Sequence, residues 1–385
     1  MTDRGDVELL TRELGAQIVA AFPSLARHPV KALDSRALEF ASSDRELRNA
    51  LFRFVDVVPA CRSLDELARH LSGFLDELEH PAPSVAAALR IADTKAGRAA
   101  LGAAAAGGVR HLAHRFIVGE SPQSALPVLG ALWSRGISSS VDLLGEATVS
   151  EQEADAYAER CLAALDTLAA AATSWPDRPL LELDGYGPLP RANLSVKVSA
   201  LTPLLRAQAP ELATEDAADR MRALLRRAKA CGAHLHIDME SLDSREAVTE
   251  LVLALLTQDE FRAGPSAGLV LQAYLRDSPE QLERMLEWAR SHERRSPLVV
   301  RLVKGAYWDH EIVQARQQGW PAPVFERKAE CDRNFELLTS KLLDARPLIR
   351  VAETAGKRRD GARLTALRNT GIRSKCTAPR ECASV

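Results

Sequence analysis

Residues 231–239 read Cys231-Gly232-Ala233-His234-Leu235-His236-Ile237-Asp238-Met239, and they hold in miniature the pattern that decides the fold. Gly232 closes a helical stretch, as a left-handed glycine commonly does. A short strand-like run comes next, with a carboxylate, Asp238, near its end. The unit recurs from about residue 137 onward, with runs at Ile137–Leu143, Leu194–Ser199, His234–Met239, Leu269–Tyr274, Leu298–Val303 and Leu348–Val351. Helical stretches lie between them, opened by Ser150 with Glu153 and by Ser278-Pro279-Glu280-Gln281, both capping-box patterns. Repeated strand–helix–strand units predict a parallel sheet, either doubly wound or closed as a barrel. No GxGxxG or GxxxxGK(S/T) follows any run, so a Rossmann or P-loop nucleotide site loses its main support.

A parallel strand covered on both faces is expected to be almost wholly apolar. These runs instead carry a polar residue near their C-terminal ends: Glu146 after Val141–Gly145, then Lys197, Asp238, Gln272, and Arg301 with Lys304. Strand alternation puts Ser195, Lys197 and Ser199 on one face, and likewise His234, His236 and Asp238. A single such charge reads as a buried ion pair; a polar or charged residue at the same end of five successive strands reads as a mouth. In a (βα)8 barrel the strand C-termini converge where active sites sit. Two cations facing two carboxylates there suit an anionic or zwitterionic small substrate.

Outside this region the sequence is plainer. Val7, Leu10, Leu14 and Ile18 share a helical face, and Ser63 with Glu66 caps a stripe of Leu64, Leu67, Leu71, Phe74, Leu75 and Leu78. Residues 1–110 are therefore expected to form an all-helical arm without chemistry of its own. The uncharged run Ala99–Val109 is too short to span a bilayer and reads as a helix end and a loop. A net charge of −2 leaves no basic footprint for nucleic acid. The six cysteines, at 61, 161, 231, 331, 376 and 382, show no metal-ligand spacing and read as reduced thiols. With no apolar leader in the first ten residues, the expected location is cytoplasmic.

Three chemistries compete for the mouth. A Schiff-base enzyme would use Lys197 or Lys304 as a neutral amine, which the nearby Glu146 and Asp238 oppose. A metal-dependent hydrolase would use His234 and His236, but the other histidines (28, 70, 80, 111, 114, 292, 310) fall mostly on helical segments and supply no third ligand. An organic cofactor would lie along Arg301–Asp309.

That last segment, Val300-Arg301-Leu302-Val303-Lys304-Gly305-Ala306-Tyr307-Trp308-Asp309 with Glu311, resembles the signature of the proline dehydrogenase domain in bacterial proline utilization A flavoenzymes. Supporting resemblances are Arg115–Glu120, Asp142–Ala147, Ser195–Leu201, Ile237–Glu240, Gln272–Tyr274, Pro323–Phe325 and Arg327-Lys328. The resemblance implies a (βα)8 barrel over 111–350 that holds FAD. It implies oxidation of L-proline to Δ1-pyrroline-5-carboxylate, with electrons passing to a membrane quinone and peripheral membrane contact. By the same resemblance Arg301 lies beside the flavin, Gln272 at its edge, Lys304, Gly305 and Ala306 clamp the cofactor, Met239 touches it, and Trp308 packs on the adenine. Lys197 would meet the substrate carboxylate, Asp238 would position the site, Tyr307 would shape the pocket, and Glu146 would be held by ion pairs.

The family features that complete the barrel are missing after Arg350: the Phe-Ala/Gly-x-His-Asn and Glu-x-Gln…His/Tyr-Gly-Met patterns, and the final helix whose arginine pair holds the substrate carboxylate. From Val351 onward there are eight Lys/Arg, three Asp/Glu and no aromatic residue. Residues 351–385 are therefore expected to be a basic tail, disordered or translated out of frame, leaving an incomplete barrel of five to six strands. The aldehyde dehydrogenase half of bifunctional relatives and a basic DNA-binding segment are not expected. The alternatives to an active proline dehydrogenase are an inactive truncated fragment and, behind it, a lysine- or metal-dependent barrel enzyme.

Overall fold

The computed structural model describes residues 4–21, 44–114, 117–145, 147–206, 208–292 and 294–353. The chain divides into two compact units, residues 21–119 and the remainder. Helix α1 (Arg4–Ala21) groups with the remainder over all but its last residue.

In the unit of residues 21–119 the described residues form helices and turns. Asp44, Ser63 and Thr94 cap α2 (Arg45–Val57), α3 (Leu64–Asp76) and α5 (Lys95–Ala113), each side-chain oxygen accepting a first-turn N–H. Between them, α4 (Pro83–Ala92) opens on proline. Leu67, Leu71 and Leu75 of the expected stripe join Leu47, Phe54 and Ala105 in one core, with Phe74 and Leu78 packed around it. Ala99–Val109, expected to be a helix end and a loop, lies inside α5. Its alanines are the best helix formers and outweigh the glycines, and Gly102 lets α5 approach α3. A methyl group on Gly102 would stand 2.1 Å from the Leu64 carbonyl oxygen.

The other unit is built on one sheet of six parallel strands. They are β1 (Val141–Asp142), β2 (Asn193–Lys197), β3 (His234–Asp238), β4 (Ser266–Gln272), β5 (Leu298–Val303) and β6 (Ile349–Glu353). Each strand pairs with the next in the chain. A doubly wound sheet would reverse its strand order at a switch point, so the sequential order favours the barrel-type winding. The linking helices are α7 (Glu151–Ala172), α8 (Pro210–Cys231), α9 (Arg245–Thr257), α10 (Ser278–Ser291), and α11 (Trp308–Gln318) with α12 (Lys328–Asp344), while α6 (Pro122–Ser134) precedes β1. Gly232 ends α8 with φ +67°, as its sequence position implies.

Register gives the two faces of the sheet opposite characters. Leu194, Leu235, Val196, Ile237, Leu269, Val300 and Leu302 share one face and are wholly buried. The other face aligns Ser195, His236, Gly268, Val299 and Arg350 in one row across five strands. Nearer the strand C-termini it aligns Lys197 with Asp238, and Val270 with Arg301 and Ala352. A short hairpin, Leu183–Asp184 with Gly187–Pro188, lies in the chain just before β2. Its Asp184 accepts two hydrogen bonds from the buried Arg350 guanidinium, at 3.0 and 3.1 Å, tying the hairpin to the last strand.

Several boundaries differ from expectation for local reasons. Only Val141 and Asp142 of the run 137–143 pair, because the preceding Ser138–Ser140 offer little to a sheet. β4 begins at Ser266 rather than Leu269, since the small Gly268 fits between Val299 and His236, where a methyl group would lie 2.5 Å from the Val299 oxygen. Ser278 does not cap α10: it is the first helical residue and donates to the Leu275 carbonyl at 2.7 Å. The preceding Asp277 is taken up by Arg245, at 3.0 and 2.6 Å. β6 reaches Glu353, into the segment set apart as a tail; residues 354–385 of that tail lie outside the described residues.

The polar face also buries two histidines. His234 Nδ1 and Ser266 Oγ are 2.8 Å apart, and His234 Nε2 and His236 Nδ1 are 3.2 Å apart. Burial, with the charge of Arg301 behind it, pushes the His234 pKa down to about 4 and that of His236 well below the ordinary value. Both rings are therefore neutral in the fold at pH 7, whereas in the unfolded chain they take protons below about pH 6.5. The unfolded state then binds more protons, so stability falls as pH drops from about 6.5 toward 4. Denaturant midpoints are expected to decline over that window in the wild type and less steeply in His236→Asn; identical slopes would contradict the burial argument. Gly268→Ala is expected to cost roughly 1–3 kcal/mol by overpacking, read from denaturant unfolding, and an unchanged midpoint would show that the strands tolerate the methyl group.

Candidate active site

The C-terminal ends of the strands bring Lys197, Asp238 and Arg301, with Asp142, into one ion-pair chain. Lys197, the last residue of β2, directs Nζ between the two oxygens of Asp142 at the end of β1, at 2.6 and 2.7 Å. The same nitrogen is 3.7 Å from Asp238 Oδ2 at the end of β3. The other oxygen of Asp238 accepts a hydrogen bond from Arg301 Nη2 on β5. Charges run Asp142, Lys197, Asp238, Arg301, alternating in sign across the sheet. Alternation of this kind is what permits ionised groups to be partly buried, since each would otherwise be stranded without water.

Burial works against the Lys197 ammonium, but the hydrogen bond to Asp142 and the charges of Asp142, Asp238 and Glu240 outweigh it and raise the pKa above the ordinary lysine value. Lys197 is therefore a cation at neutral pH and does not itself offer the neutral amine that Schiff-base chemistry needs. Its backbone N–H donates to the Tyr157 hydroxyl at 3.3 Å, fixing the strand end against α7. Beyond it, Ser199 Oγ donates to Glu240, so the loops after β2 and β3 are bridged. A cavity of about 330 Å3 lies at those loops, lined by Ser199, Asp238, Glu240 and Ser241 among others.

On the far side of the mouth, Gln272 Nε2 donates to the Met239 carbonyl at 3.2 Å, with both side chains buried. Lys304 is drawn to α12, where Nζ donates to Asp332 at 2.6 Å and stands 5.5 Å from the Phe335 ring centroid. Gly305 has φ +126°, and a β-carbon there would lie 2.3 Å from the Tyr274 ring, so only glycine fits on both counts. Ala306, Tyr307 and Trp308 continue from it as an exposed rim. Trp308 Nε1 donates to the Phe325 carbonyl at 2.9 Å, which seats the indole at the start of α11. Partial burial and the carboxylates Glu240 and Asp238 raise the Tyr307 pKa, so its hydroxyl stays protonated.

Of the residues singled out, Lys197, Asp238 and Arg301 are joined directly, and Met239 is joined to Gln272. Glu146 lies outside the described residues. Sequence reasoning missed Asp142 and the Ser199–Glu240 bridge. Asp142 carries the same signal as its neighbours, a charge at a strand end, but its strand pairs over only two residues and Glu146 drew attention past it. The metal reading fares poorly: the facing nitrogens of His234 and His236 are engaged with each other. No group of three or more His, Cys, Asp or Glu among the described residues is arranged to hold an ion.

Residues 125–375 match the proline dehydrogenase family, and residues 8–116 match the proline utilization A N-terminal domain. The first match extends past β6 into the segment set apart as a tail. The bifunctional protein PutA of Salmonella typhimurium is 30% identical over 242 residues, which is 63% of this chain and 17% of that protein. Proline dehydrogenase 1 of Bacillus subtilis (strain 168) is 29% identical over 206 residues, 54% of this chain and 56% of its own length. The crystal structure of proline utilization A from Bdellovibrio bacteriovorus, inactivated by N-propargylglycine, superposes with a TM-score of 0.77 at 34% identity, covering 87% of this chain and 32% of that one. The chain thus spans less than a fifth of the Salmonella protein and about a third of the Bdellovibrio chain. With a family match over well more than half its length, on a sequentially wound parallel sheet with its charges gathered at one end, the chain belongs to the proline dehydrogenase family.

Proposed function

We propose that this mouth serves the FAD-dependent oxidation of L-proline to Δ1-pyrroline-5-carboxylate, with the electrons passed on to a membrane quinone. The observation that carries the reading is the Lys197–Asp238–Arg301 chain, which holds two cations at the strand ends. Family membership supports the substrate. No helix of the described residues is long and apolar enough to cross a membrane; contact with the quinone pool is read as peripheral from the family resemblance alone.

The residues present fit a flavin. Arg301 is tethered through one nitrogen to Asp238 yet remains a quarter exposed, leaving N–H donors for an electron-rich ring edge. Gly305 brings bare backbone to the mouth, and the adjoining Ala306, Tyr307 and Trp308 offer exposed surface for a cofactor. Arg301, Gln272, Met239, Lys304, Gly305, Ala306 and Trp308 would hold the group. FAD, when bound, supplies the acceptor for the hydride that leaves the proline ring carbon next to nitrogen.

The remaining work falls to the chain. A guanidinium fixed by Asp238 stabilises negative charge that grows on its neighbour, and fixed charges of this kind act without reorganising. Lys197 attracts the substrate carboxylate, orienting the ring, while Asp238 holds both cations in place. Tyr307, protonated and partly exposed at the rim, shapes the substrate pocket.

The purified chain incubated with FAD is expected to retain flavin absorbance after gel filtration and to bleach anaerobically with L-proline. Arg301→Met is expected to lower kcat by about 10²–10³. Lys197→Met is expected to act mainly through a raised KM. A chain that takes up no flavin, or takes it up without bleaching, contradicts the proposal and favours the inactive-fragment reading. Borohydride trapping of a carbonyl substrate on Lys197 would favour a lysine-dependent enzyme.

A further inference from the structure

Both cations of the mouth are already satisfied by the protein's own carboxylates. Lys197 is only 11% exposed, and Asp142 occupies it through both oxygens at 2.6 and 2.7 Å, with Asp238 at 3.7 Å. A substrate carboxylate arriving at Lys197 would therefore meet two negative charges at contact range, with Glu240 close enough to act on the same ammonium. Like charges in one partly buried site cannot all stay. One carboxylate must give way.

The geometry says which. Asp238 is 14% exposed and is held from its other side by Arg301. Asp142 is 37% exposed, sits at the end of a strand two residues long, and makes no other side-chain hydrogen bond or ion pair among the described residues. Resting on the reading of Lys197 as the carboxylate-binding cation, we infer that Asp142 is an internal counter-ion that occupies the substrate-carboxylate position on Lys197 and is displaced when an amino acid binds. Asp142 thus sets how tightly the mouth takes a carboxylate. It keeps Lys197 charged and ordered in the empty site, at a cost in affinity set by the fraction of time the pair is closed. A pair closed about nine-tenths of the time weakens the apparent affinity about tenfold.

The probe is cyclopentanecarboxylate, which has the ring and carboxylate of proline but no amine and no oxidisable C–N bond. Its binding to the full chain is measured calorimetrically at fixed ionic strength. Asp142→Asn is expected to bind it about tenfold more tightly than wild type. Asp142→Ser, which leaves no amide to replace the lost contact, is expected to do the same should the asparagine variant fold poorly. Glu240→Gln removes a neighbouring charge that acts on Lys197 through its field alone, and its gain is expected to be clearly smaller. Lys197→Met is expected to abolish binding with or without Asp142. Unchanged or weaker binding in both Asp142 variants, with Lys197→Met still abolishing it, overturns the counter-ion inference alone. Equal gains in Asp142→Asn and Glu240→Gln also overturn it, in favour of a general field effect. Binding that survives Lys197→Met overturns the reading of Lys197 on which the inference rests.

Discussion

The ion pairs of Asp238 are the constraint around which the strand ends are arranged. A carboxylate partly buried at the mouth needs cations, and it has two: Arg301 on one oxygen and Lys197 near the other. Those cations come from strands on either side of β3, and the parallel, sequential order delivers them to the same end of the sheet. A lone charge there would be costly to bury, whereas a chain of alternating charges is tolerable. Such a chain is a weak source of stability and a strong source of geometry. Stability comes from the opposite face, where Leu194, Leu235, Ile237, Leu269 and Val300 are wholly buried.

This division between faces explains what the sequence disclosed. Sheet class and the end that carries chemistry were legible because period-two alternation separates apolar from polar residues on each strand, whereas the alternation left doubly wound and barrel winding open until the strand order was seen. Lys197, Asp238, Gln272 and Arg301 stood out because they interrupt otherwise apolar runs. Residues whose significance comes from a partner were less legible. Asp142 looks like any loop-edge carboxylate until Lys197 is seen against it. Ser199 and Glu240 belong to different loops, and only the fold joins them. Element ends were lost to tertiary effects: Arg245 claims Asp277 next to the expected cap of α10, and the close approach at Gly102 draws a glycine-containing stretch into α5. His234 and His236 have the spacing of metal ligands on one strand, yet they hydrogen-bond each other and Ser266. A spacing that suits an ion also suits a buried polar ladder.

The loop after β5 is where family resemblance and physical reading converge. Gly305 is required by both its φ and the Tyr274 ring, so the resemblance at this position has a packing reason independent of any cofactor. Lys304 reaches back to Asp332 and the Phe335 ring, which anchors the loop to α12. Ala306, Tyr307 and Trp308 are left exposed at the rim.

The protonation state of Lys197 decides between electrostatic and covalent chemistry at this mouth. Lysine side chains labelled with 13C at Cε report it directly by NMR titration, with Lys197→Met assigning the resonance. A titration midpoint above the ordinary value of about 10.5 is the expected result, with Asp142 and Asp238 as its cause. A midpoint below that value would contradict the ion-pair chain as the organising feature of the site.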